Sequence, residues 1–223
     1  MAKIIAIANT KGGVGKSTIA RNIALACNIN DLKTLALDCD PQHSLRKFFT
    51  ARAERLDTIE LDCDVMTEAT GLKRDILHRA DKYDRVIVDV GGRDSNTMRQ
   101  VLLAADVVII PTTTGQESTD ALEHMIESVE DAKSINEGLQ ACILLNLVPS
   151  DAHDTTGSIT AEGLTGLYED NAIVLNTRIK HRKAWLQSGY EGHAIWEINL
   201  QSENKAATEF QALLNELASK EIL

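Results

Sequence analysis

Apolar residues in this chain come in short runs separated by longer amphipathic stretches, and the two alternate from the N-terminus onward. The run KIIAIAN at 3–9 has the length and continuous apolarity of a strand buried on both faces. Similar runs stand at 34–38 (TLALD), 85–89 (RVIVD), 107–111 (VVIIP) and 141–147 (ACILLNL), with a short one at 172–175. Between them, apolar residues three or four positions apart predict helices at 17–28, 71–81, 95–105, 117–135, 158–169, 180–189 and 203–220. In the first of these, Ile19, Ile23 and Ala26 share one stripe. The stretch 51–70 is the least regular, with room for an edge strand near 58–61. Alternation of this kind predicts an α/β fold, doubly wound, with a mostly parallel sheet covered by helices on both faces. No Pro- or Gly-rich linker and no internal repeat interrupts it, so one domain over 1–223 is expected.

Composition narrows the setting. A chain of 223 residues can bury a substantial core. No run approaches the roughly eighteen apolar residues of a membrane span. Met-Ala-Lys leads straight into the first strand without the features of a secretory leader, so a cytoplasmic protein is expected. Cys27, Cys39, Cys63 and Cys142 are scattered with no CxxC pair, which predicts free thiols in or near the core. A net charge of −10 argues against a chain that coats nucleic acid over its whole surface but leaves room for a local basic patch.

The sharpest chemical signal joins the first strand to the first helix: Thr10-Lys11-Gly12-Gly13-Val14-Gly15-Lys16-Ser17, followed by Thr18. Strand, glycine-rich turn and helix are the context of a phosphate-binding loop, as in P-loop NTPases. Glycines let backbone N–H groups close around a phosphate, and the helix N-terminus adds partial positive charge. Lys16 can reach β- and γ-phosphate oxygens, and the Ser17 hydroxyl can ligate Mg²⁺. ATP and Mg²⁺ are the expected cofactors. The usual first glycine of such a loop is Thr10 here, and Lys11 stands before a Gly-Gly pair, better placed to project outward than to share the same phosphate.

The run KGGVGKS resembles the deviant Walker A motif of the ParA/MinD ATPases, closest to the small plasmid-type ParA proteins. That resemblance implies a homodimer formed with ATP, in which Lys11 crosses to the partner's nucleotide and neutralises transition-state charge in trans. An arginine finger in that role is worth about 10³–10⁵ in rate. Asp38-Cys39-Asp40-Pro41-Gln42 ends the second strand and looks like the family's switch I motif. It implies that Asp40 positions the attacking water and Asp38 supports the magnesium shell; a cap on the helix that follows is the lesser alternative for Asp38. Four strand residues ending in Asp89 form a Walker B pattern, with Asp89 on Mg²⁺. Many relatives continue with Asp-Thr-Pro or Asp-Pro-Pro, whereas this chain has Val-Gly-Gly-Arg, which leaves the switch II geometry and any role of Arg93 open. Asn146 ends the strand ACILLN, where relatives contact the adenine edge; a strand-end Asn that starts a turn is the equal alternative.

From 171 to 190 no acidic residue occurs, while Arg178, Lys180, Arg182 and Lys183 cluster beside His181. A solvated face is one reading. The other is a phosphate-contacting patch, doubled in a dimer, binding non-specific DNA with a log–log salt slope of up to roughly −7. Family members use C-terminal basic residues this way, and the resemblance adds a ParB-type partner that stimulates hydrolysis during segregation of a plasmid or chromosome, with the ATP-bound form on the nucleoid. No N-terminal helix-turn-helix domain of the kind larger ParA proteins carry is expected, because the first strand opens the sequence.

Alternatives share the nucleotide motifs. A MinD-like membrane switch needs a cationic amphipathic tail. The stripe Ala206, Phe210, Leu213, Leu214 and Leu217 here is flanked by Glu203, Glu209, Glu216 and Glu221, which favours a helix packed on the domain and no membrane partner. A cluster-bearing reductase needs cysteines at the dimer axis, and none follows the Walker B segment closely. A positioning ATPase for another cargo, such as a carboxysome, has identical physics.

Overall fold

The computed structural model describes residues 2–57, 61–92, 95–151, 155–198 and 203–223. In chain order the elements are β1 (Lys3–Ile7), α1 (Lys16–Ile29), β2 (Thr34–Cys39), α2 (Ser44–Leu56), β3 (Asp62–Val65), α3 (Leu72–Ala80), β4 (Arg85–Val90) and α4 (Asn96–Leu102). They continue with β5 (Val107–Thr112), α5 (Gln116–Lys133), β6 (Gln140–Val148), α6 (Thr156–Tyr168), β7 (Ile173–Lys180), α7 (Lys183–Tyr190) and α8 (Lys205–Ser219). The strands form one sheet in the order β3-β2-β4-β1-β5-β6-β7, every neighbouring pair parallel. The expected doubly wound α/β fold is present, with a sheet parallel throughout.

Strand periodicity sorts the core into two faces. Ile4, Ala6, Leu35, Leu37, Val86 and Val88 turn toward α3, α4, α5 and α6. Ile5, Ile7, Ala36, Ile87 and Ile109 turn toward α1, α2, α7 and α8. All four cysteines are free and buried, with thiols pushed up to about 11 or 12 by burial, so none is poised as a nucleophile.

Three elements differ from the pattern. Helix α2 occupies a stretch for which no helix was expected, burying Leu45, Phe48, Phe49 and Arg52 among exposed charges. An edge strand does exist, but it begins at Asp62; residues 58–60 of the expected segment lie outside the described residues. Strand β7 runs to Lys180, well beyond 172–175, and the helix expected at 180–189 begins only at Lys183. The extension is polar because β7 is a sheet edge whose free N–H groups are covered by carboxylates. Glu216 of α8 accepts from the backbone N–H of Asn176 (2.7 Å) and Thr177 (2.8 Å), and Glu209 accepts from that of Lys180 (3.2 Å). These acids close the edge against pairing with another chain. The apolar face of α8, with Ala206, Phe210, Leu213 and Leu217, is buried against the core rather than offered to lipid. No helix among the described residues is long and apolar enough to cross a membrane.

Candidate functional site

Sheet register brings the sequence motifs together. On β4, Asp89 pairs with Asp38 of β2 on one side and Ile7 of β1 on the other, all at the carboxyl ends of their strands. The loop 10–15 leaves β1 at this level and turns into α1. Ligands in open parallel sheets bind in this crevice. A cleft of about 820 Å³ opens there, lined by Gly12, Gly13, Gly15, Lys16, Ser17 and Thr18 from the loop and α1, by residues 40–42 after β2, and by Gly91 and Gly92 after β4.

Gly15 caps α1 with φ 91°, a backbone that L side chains rarely adopt, and a Cβ there would collide with the Asn146 amide. The Asn146 Nδ2 donates to the Val14 carbonyl oxygen at 2.7 Å from a buried position. A local irregularity of β6 aims it: the register against β7 shifts between Leu145 and Val148, and Leu147 takes φ 55°. That is a bulge with a costly backbone, of the kind found where a side chain must be re-aimed. Asn146 therefore lies beneath the phosphate-binding loop and holds it from below.

Lys16 is buried, and its Nζ donates to the Lys11 carbonyl oxygen at 2.9 Å. Burial lowers its pKa, opposed by the charges of Asp89 and Asp40. The Gly-Gly after β4 explains itself by close approach: a Cβ on Gly92 would stand 3.1 Å from Lys16 Nζ and 3.2 Å from the Gly12 backbone. Gly91 lies beside Asp40 and Pro41, where a Cβ would make only ordinary van der Waals contact at 3.4–3.6 Å. Switch II thus packs directly on the loop and on switch I. Arg93 lies outside the described residues.

The three carboxylates differ in their partners. Asp38, fully buried, accepts from the backbone N–H of Asp40 at 3.1 Å and of Arg46 at 2.8 Å. It holds the switch I turn and the first turn of α2, the capping alternative raised by its position in the sequence. Asp40 is half-buried and accepts from the Gln42 N–H at 2.8 Å. Asp89 is fully buried, and among the described residues neither of its carboxylate oxygens has a hydrogen-bond partner. Burial pushes its pKa up to about 7; the Ser17 hydroxyl, close by but outside hydrogen-bond geometry, and Lys16 pull it down, while Asp38 and Asp40 push it further up. A buried carboxylate without a hydrogen-bond partner, close to Ser17 and Lys16 of the cleft lining, suits a hard divalent cation. No group of three or more His, Cys, Asp or Glu among the described residues could hold a metal ion alone. A Mg²⁺ ion here would need phosphate oxygens and water to complete its octahedron, as it ordinarily does.

Lys11 sits at the mouth of the loop. Its Nζ approaches the Glu117 carboxylate at 3.3 Å and the Ser118 hydroxyl at 3.1 Å, on the first turn of α5. That position is weak for a cation, because a helix N-terminus carries positive partial charge and Glu117 is 90% exposed.

The cationic segment lies away from the cleft floor, at the end of β7 and the start of α7. Arg178 is half-buried and donates to the Ser158 hydroxyl of α6 at 2.7 Å. Arg182 donates to both oxygens of Glu209, the shortest contact 2.5 Å, which raises its pKa. Lys180 is half-buried, and Lys183, like His181, is exposed.

The family model described as the CobQ/CobB/MinD/ParA nucleotide binding domain matches residues 5–184. The chain is 26% identical over 216 residues to the maintenance of carboxysome distribution protein A of Halothiobacillus neapolitanus, covering 96% of this chain and 95% of that one. It is 28% identical over 207 residues to Protein ParA of Rhizobium radiobacter, covering 92% and 90%. A crystal structure of a plasmid partition protein from Borrelia burgdorferi B31 bound to AMPPNP has the same fold, with a TM-score of 0.73 at 21% identity over 99% of this chain and all of that one.

Proposed function

Because the chain belongs to the CobQ/CobB/MinD/ParA nucleotide-binding domain family, we propose that it is an ATPase whose ATP-bound form is a dimer that binds DNA without sequence preference. The observation that supports this reading is the meeting of Lys16, Ser17 and Asp40 in one cleft, with the buried, unpartnered Asp89 close to all three and Lys11 at the mouth of the loop. The AMPPNP complex of the Borrelia protein supports the choice of nucleotide.

Each residue has a distinct role in this proposal. Backbone N–H groups of Gly12, Gly13, Val14 and Gly15, together with Thr18, cradle the phosphates. Lys16 exchanges the Lys11 carbonyl for β- and γ-phosphate oxygens. Ser17 and Asp89 hold Mg²⁺, and Asp38 acts in the outer shell by fixing the turn that carries Asp40. Mg²⁺ held there by Ser17 and Asp89 would supply positive charge to offset that of the phosphates. Asp40 orients the attacking water. Asn146 keeps the loop closed beneath the nucleotide. Lys11 leaves Glu117 and crosses to the partner subunit's nucleotide, so hydrolysis depends on dimerisation.

Lys180 and Lys183 offer the free charge for DNA phosphates, with Arg178 and Arg182 shaping the ridge between α6 and α8. A ParB-type protein bound to the cargo stimulates hydrolysis and releases the dimer from the nucleoid into the cytoplasm. The cargo is a plasmid or chromosome in the first reading. Similarity to a carboxysome distribution protein over nearly the whole chain supports a second, in which the same cycle positions a protein body.

The test is Lys11→Ala. Partner-stimulated turnover should fall by at least about a thousandfold while ATP binding persists. Wild-type turnover in this variant would refute the role in trans.

A further inference from the structure

Arg21 is a buried cation for which the nucleotide site described above has no use. It stands on α1 one turn beyond Ser17 and Thr18, on the face that lines the cleft, and is only 8% exposed. Helical side chains lean back toward the N-terminus, which carries the guanidinium over the turn that follows the loop. Its partners are all neutral. One Nη donates to the Trp185 carbonyl oxygen at 3.3 Å and the Ser188 hydroxyl at 3.0 Å, and the Phe48 ring lies 4.5 Å beneath the guanidinium carbon. Its Nε is buried without a partner. The chain has 33 acidic residues, yet none of those described pairs with Arg21. Burial alone depresses its pKa, to about 10. A buried charge normally comes with a counter-charge, because desolvation otherwise goes uncompensated.

We propose that Arg21 is an additional nucleotide-binding residue, its guanidinium contacting a phosphate of the bound nucleotide from the α1 side. The inference rests on the reading of this cleft as a nucleotide site. The missing anion is then the ligand itself, and the neutral contacts from α7 and Phe48 hold the fork in place until it arrives. Arg21 leans on α7 where a Cβ on Gly189 would stand 2.9 Å from its other Nη, so the space it needs is provided by that glycine. The competing account is a purely structural strut between α1 and α7.

Titration calorimetry of the full chain with Mg-ATP and with Mg-ADP separates the two. Arg21→Met should weaken both nucleotides by about tenfold or more, as expected for loss of a charge-assisted hydrogen bond. Arg21→Lys, which keeps the cation but loses the fork to α7, should stay within about threefold of wild type. Arg21→Gln replaces Arg21→Met if the latter does not fold. Wild-type affinity in the uncharged variant overturns the proposal, as does an equal loss in Arg21→Lys, which would make the strut the whole role. A wild-type protein that binds neither nucleotide refutes the reading of the cleft instead.

Discussion

Lys11 Nζ stands 3.3 Å from the Glu117 carboxylate, an ion pair inside one subunit made by the residue proposed to act in the other. The two arrangements exclude each other, so on the proposed role of Lys11 the pair with Glu117 opposes dimer formation. An exposed pair of this kind is worth about 0.2–1 kcal/mol. Both subunits lose the pair on association, so Glu117→Ala should tighten the ATP-dependent dimer by roughly two- to thirtyfold, measured by sedimentation in an Asp40→Ala background. Weaker dimerisation would mean that Glu117 helps build the interface.

Asp89 should make the ligand-free fold less stable as pH rises. Its carboxyl is raised from the ordinary 3.8 to about 7 in the folded state, so the folded chain holds a proton that the unfolded chain has already lost. Stability contributed by the protonated form is complete below about 4 and is lost as pH rises through about 7. Asp89→Asn should flatten this dependence, gaining on the order of 2 kcal/mol relative to wild type between pH 5 and pH 8 in urea denaturation. It should also lose Mg²⁺-dependent nucleotide binding. A variant less stable than wild type at pH 8 would contradict the assignment.

Within the cationic segment the structure separates charges that the sequence lists together. Lys183 is exposed, whereas Arg182 is held by Glu209 with both side chains largely covered. Lys183→Ala should weaken DNA retention at every sequence and lower the salt slope by about 1 for each site removed. Arg182→Ala should instead cost about 1–3 kcal/mol of stability, because the largely covered Glu209 loses its countercharge and keeps only the Lys180 N–H. If Arg182→Ala abolishes retention with unchanged stability, its guanidinium is a direct contact.

The central strands and the loop 10–17 were legible in the sequence because their signals are local. A strand buried on both faces is continuously apolar, and a phosphate-binding loop needs its glycines and lysine in fixed order. Helix α2 was hidden because Leu45, Phe48, Phe49 and Arg52 form a short buried stripe among charges, and the arginine masks the period. The end of β7 was hidden for a different reason. Its edge is satisfied by Glu209 and Glu216, far along the chain, so the residues of the strand itself can be polar. The same distance explains Asn146. The bulge at Leu147 that turns it under Val14 leaves no mark in the residues ACILLNLV. Lys11 was marked by its neighbours in sequence, but its contact with Glu117 spans 106 positions and is visible only in three dimensions.

In the proposed cycle, closure of two subunits over paired nucleotides links Lys11, Asp40 and the cationic ridge into one switch. Sedimentation velocity of the Asp40→Ala protein with and without Mg-ATP measures that closure directly. A dimer that appears with Mg-ATP and vanishes with Mg-ADP is the predicted result. A species that stays monomeric at saturating Mg-ATP would contradict it.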